Sequence, residues 1–103
     1  MEANVSLEKS FEQLQRHVGP PLMQLRTLRR KSQLWLIRAL RLKFPGCWHG
    51  LGEELIEAIE KGQYMVSLQE MQQICIILHE APEWILARAR LVKTTREEKR
   101  KKP

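Results

Sequence analysis

Apolar residues recur along the chain at steps of three and four, and almost nowhere alternate with polar ones. Leu25, Leu28, Leu36, Leu40 and Phe44 recur at helical spacing first, then Leu51, Leu55, Ile56 and Ile59. Leu68, Met71, Ile74, Cys75 and Leu78 repeat it. Side chains three and four apart share one face of a helix, so the pattern is that of amphipathic helices rather than strands. Leu, Glu, Gln, Arg and Ala dominate between these positions, and all favour helix. The spacing predicts an all-α protein, a compact bundle of about five short helices.

Punctuation divides the pattern. Ser6 or Ser10 is placed to cap a first helix, and Ser10 to Gln13 has the spacing of a capping box. Gly19-Pro20-Pro21 is expected to break it, setting residues 1–21 apart as an N-terminal helix and its stop. Helical periodicity then runs from Leu22 to Phe44, either unbroken or restarted at Ser32-Gln33. The segment 44–52 holds one proline and three glycines and reads as a loop. Gly62 stands where a helix ends, and Ser67 with Glu70 forms a second capping box. Pro82 suits the first turn of a last helix. Residues 22–92 form the body of the domain, and 93–103 carry too few apolar side chains to fold alone, which predicts a disordered basic tail.

Charge changes the picture. The 103 residues carry 18 Lys+Arg and 12 Asp+Glu, a net +6. Every acidic residue is glutamate. Between Gln13 and Gly52 there is no acid, whereas Arg16, Arg26, Arg29, Arg30, Lys31, Arg38, Arg41 and Lys43 supply eight positives. From Glu53 to Glu83 seven glutamates face Lys61 alone, and the end turns basic again. A basic domain of this size points to an anionic partner, most commonly nucleic acid. No apolar run is long enough to cross a bilayer, and Glu2, Glu8 and Glu12 do not fit a signal peptide. Two cysteines without a CxxC give no disulfide framework, so a reducing, cytoplasmic setting is expected.

The stretch after residue 58 adds a resemblance. Ile59-Glu60-Lys61-Gly62, four residues, Ser67-Leu68, then Met71, Ile74, Leu78 and Pro82-Glu83-Trp84-Ile85-Leu86 resembles the Xre-type (lambda-repressor-like) helix-turn-helix family. Upstream, "LRTLRRK" resembles the end of that family's first helix and Ser32-Gln33 the start of its second. Two departures stand out: Val66 replaces the usual proline before the serine, and the 44–52 loop lengthens the segment between Gln33 and Glu60. The resemblance implies a helix-turn-helix bundle that binds operator DNA as a homodimer and represses transcription, nucleoid-associated if the source is bacterial. Residues 51–61 would be the helix entering the major groove.

On that basis the expected DNA-binding residues are Arg26, Arg29, Arg30, Lys31, Gln33, Arg38, Arg41, Glu53, Glu54, Glu57, Lys61, Gln63 and Tyr64. The basic ones would neutralise phosphates, which positions a protein and makes binding salt-dependent. Gln33 would resemble the family's backbone- and base-contacting glutamine, and Lys61, Gln63 and Tyr64 would reach the sugar-phosphate backbone. Glu53, Glu54 and Glu57 form an acidic outer face, able to accept from cytosine N4 but repelled by phosphates. The alternative for Arg38 and Arg41 is pairing with these glutamates, which would quench both charge blocks internally. Trp84, Ile85 and Leu91 are the expected dimer contact.

Alternatives belong to other classes. The acidic helix 51–61 would suit a protein-binding module, an inhibitor or anti-activator that no longer reads DNA. The arginine-rich segment 26–43 would suit an RNA-binding viral accessory protein. Trp48, beside His49 in a glycine-flanked loop, is expected to cover the core rather than face a partner. Cys47, His49, Cys75 and His79 together would make a tetrahedral zinc set, although Cys47-x-His49 is tighter than usual ligand pairs and Cys75 sits in an apolar run. Neither a Ser/His/Asp or Cys/His signature nor a phosphate-cradling glycine loop is present, so no enzyme and no cofactor is expected.

Overall fold

The computed structural model describes residues 2–101, with side chains over 7–97. Its elements are α1 (Glu2–Leu14), a 3-10 turn (Gln15–His17), α2 (Gly19–Leu28), α3 (Gln33–Lys43), α4 (Glu53–Glu60), α5 (Leu68–Ile77) and α6 (Pro82–Lys101). No strand occurs among the described residues, so the all-α expectation stands, with six helices rather than about five. None is long and apolar enough to cross a membrane.

Several boundaries differ from expectation for clear local reasons. Ser10 lies inside α1, so it caps nothing. Pro20 and Pro21 open α2 instead of ending the preceding helix, because a first turn needs no amide donor there. The Leu22–Phe44 stretch is two helices. Arg30, in the left-handed region at φ 57°, closes α2, and the Ser32 hydroxyl accepts from the Trp35 amide to start α3. Ser67 and Glu70 form both halves of the capping box at 3.0 and 2.8 Å. Residues 93–101, expected as tail, continue the backbone of α6, and Lys102 and Pro103 lie outside the described residues.

α2 packs on both α4 and α6. α3 packs on α4 and α5, while α1 joins α6. Leu25, Leu40, Ile56, Met71, Ile74 and Ile85 are among the most deeply buried side chains, and Phe11 and Leu14 of α1 belong to the same cluster. The α2–α4 approach depends on Gly19. A Cβ there would overlap the Ile59 carbonyl oxygen at the end of α4. The long 44–52 loop is fastened at two points. Trp48 Nε1 donates to Gln73 Oε1 at 2.7 Å, and Arg41 donates to the Leu51 carbonyl at 2.6 Å. Trp48 thus packs against the core, as expected for an indole in a small bundle.

Candidate nucleic-acid interface

The site lies at the junction of α2, the start of α3 and the end of α4. Glu60 sits one turn beyond Ile56 on the inward face of α4 and is buried. The Arg26 guanidinium grips it with two bonds, Nε–Oε2 at 2.6 Å and Nη2–Oε1 at 3.0 Å. Side-chain exposure is 12% for Arg26 and 4% for Glu60. Gln33, from α3, donates to Glu60 at 2.9 Å and to Glu57 at 3.3 Å. The third Arg26 nitrogen donates to the Lys31 carbonyl at 2.7 Å, holding the α2–α3 turn. Hydrogen bonding to the Glu60 carboxylate raises the Arg26 pKa against an opposing desolvation effect. One buried fork therefore fixes three helices relative to each other.

This arrangement corrects the expected phosphate contacts. Arg26 is committed to Glu60 and is not an outward-facing cation. Arg29 is also engaged. It donates to the Leu78 and His79 carbonyls at 2.8 and 3.2 Å and meets Glu80 at 3.2 Å, so its cation caps the negative end of α5. Gln33 is turned toward the glutamates. Arg41 reaches the Leu51 carbonyl, and none of Glu53, Glu54 and Glu57 has an ion pair with Arg38 or Arg41 among the described residues; Glu57 instead meets Lys61 at 3.4 Å.

The outward positives of this region are Arg30, Lys31, Arg38 and Lys43, all exposed. Lys31 lies over the Trp35 ring, 4.6 Å from its centroid. α3 has no acidic residue in its first turn, so the partial positive charge of its N-terminus adds to Arg30 and Lys31. Glu53 and Glu54 occupy the first turn of α4, a favourable position for that helix's own dipole. Lys61, Gln63 and Tyr64 are exposed after α4, with Tyr64 Oη 3.3 Å from Glu70. Burial, then the Glu70 charge, raises the Tyr64 pKa.

The expected dimer contact divides. Ile85 is 0% exposed and is a core residue, since it faces inward at helical spacing with Leu86 and Ala89. Trp84 is half-buried beneath the Arg88 guanidinium, 4.2 Å from its ring centroid. Leu91 remains outside at 66% exposure. The zinc set does not assemble. Cys75 is buried with its thiol pKa pushed up to about 12 by desolvation, Cys47 is exposed, and no three His, Cys, Asp or Glu side chains converge on a metal-sized site among the described residues.

Sequence reasoning missed Glu60 as a structural carboxylate. Its place one turn after the inward Ile56 was the available signal. It also missed the gathering of Arg16, His17, Lys93 and Arg96 around one cavity, for which sequence distance left no signal. No family model, no curated protein and no solved structure matches this chain.

Proposed function

We propose that the chain is a duplex-DNA-binding regulator of the Xre helix-turn-helix type, a repressor acting as a homodimer on operator DNA. The carrying observation is the Arg26–Glu60–Gln33 junction. It holds the α3 N-terminus beside the end of α4 while leaving Arg30 and Lys31 outward. The two carboxylates that Gln33 contacts are compensated, Glu60 by Arg26 and Glu57 by Lys61. A backbone phosphate would therefore meet free amides at a helix N-terminus and two cations with little opposing charge. α4 would enter the major groove, with Glu53 and Glu54 accepting from cytosine amino groups. A second copy would dock through Leu91 of α6.

Anisotropy of a labelled duplex against salt tests this reading. Each phosphate neutralised contributes about 0.9 to the slope of log K on log salt, so Arg30→Ala/Lys31→Ala should lower the slope by about 1.8. Absence of binding at low ionic strength would refute it.

A protein-binding role has its own support in α3, where Leu34, Trp35 and Leu42 are exposed, Leu42 at 86%. Apolar side chains on one exposed helix suit a protein groove better than a phosphate backbone. Under that reading Leu42→Glu abolishes partner capture and leaves duplex binding unchanged.

A further inference from the structure

A cavity of about 450 Å³ opens between the 3-10 turn, the α4–α5 turn and the C-terminal part of α6. Arg16 and His17 line it from the turn, Lys93, Arg96 and Glu97 from α6, and Gln63 from the segment after α4. Three permanent cations thus meet one carboxylate among the lining residues. Assembling like charges from two ends of a chain opposes folding, and an anion seated between them removes that repulsion. The surroundings already act on His17. Burial first, then Arg96, Lys93 and Arg16, lower its pKa, with Glu97 acting the other way. Its Nδ1 is enclosed and has no hydrogen-bond partner among the described residues.

From this cluster we infer that the cavity binds the phosphate group of a small phosphorylated ligand, of the size of a nucleoside monophosphate. The charge matches, because a phosphate monoester carries about −1.5 to −2 near neutrality against an excess of two positives. The residue types suit it too, since guanidinium forks bond phosphate oxygens in pairs and Lys93 adds a point charge. The volume is that of a small-molecule site rather than a single-ion niche. Gln63 and Met65 border the space left for the rest of the ligand. This site is separate from Arg30, Lys31 and the α3 N-terminus, so it does not depend on DNA binding.

The test uses the full chain without DNA. Thermal unfolding is followed with adenosine monophosphate, with inorganic phosphate, and with sodium chloride at equal ionic strength. The nucleotide at roughly ten times its Kd should raise Tm by about 6 °C, and inorganic phosphate should act more weakly. The His17 imidazole resonance should move on titration and its ionisation midpoint should rise. Lys93→Gln/Arg96→Gln should abolish both responses while melting cooperatively at an equal or higher temperature without ligand, since repulsion is relieved. An equal shift with sodium chloride overturns the inference. So does a response that survives in the double variant, or stabilisation by duplex DNA but not by the nucleotide.

Discussion

Glu60 occupies a core-facing position of α4 yet carries a charge, and its energetics rest on its neighbours. A buried ion pair recovers its desolvation only through close, complete bonding, which the Arg26 fork and the Gln33 amide provide. Removing one partner leaves the other buried and unpaired. Glu60→Leu alone should therefore destabilise by roughly 3–5 kcal/mol, measured by urea unfolding. Adding Arg26→Met should recover most of that loss, because two apolar residues of similar volume need no pairing. Full additivity of the two losses would show that they do not act as a unit. Gly19 is a second residue on which the same helices depend. Gly19→Ala should cost about 1–3 kcal/mol although alanine is the better helix former, because the new Cβ meets the Ile59 carbonyl, a backbone atom that cannot swing aside. A neutral or stabilising effect would mean that α2 and α4 separate freely.

Three helices end in the same way, and only one does so with glycine. After α4, Gly62 takes φ 77° while Gln63 donates back to Ala58 at 2.8 Å. α2 and α5 repeat the turn with Arg30 and His79, each at φ 57°, and Lys31 and Glu80 donate back to Arg26 and Cys75. A side chain in this region is disfavoured by about 1 kcal/mol, part of which glycine returns through its looser unfolded chain. His79→Gly should thus raise stability by ~0.5 kcal/mol, seen as a Tm increase of about 2–4 °C. The Ser67 box and the Gly62 stop were legible in the sequence because every partner lies within a few residues. Pro20 and Pro21 are ambiguous in sequence because proline marks both the end of one helix and the first turn of the next. The site was less legible still. Arg26 and Glu60 stand 34 positions apart, and no local pattern distinguishes an arginine that will be buried from Arg30, which stays outside.

At the scale of the molecule, the chain folds its basic C-terminal helix back against its N-terminal segment, and this placement makes stability depend on pH. α6 packs on α1, α2 and the 3-10 turn, bringing Lys93 and Arg96 to His17. Burial and the positive charges of Arg96, Lys93 and Arg16 outweigh Glu97 and lower the folded-state pKa of His17 beneath its ordinary 6.5. Between those two values the unfolded chain binds a proton that the folded chain refuses. Stability therefore rises with pH in that window, is fully present above about 6.5, and is lost as pH falls through the folded pKa. Urea midpoints should stay level from pH 8 to about 7 and decline on further acidification, before the glutamates protonate near 4. His17→Gln should remove this portion of the decline and leave the lower, glutamate-dependent portion in place. Phosphate occupying the cavity that His17 lines should shrink this decline and leave its onset in place, since an anion beside the imidazole raises its folded pKa toward the unfolded value and narrows the window. A decline of unchanged slope in His17→Gln would place its origin in another group.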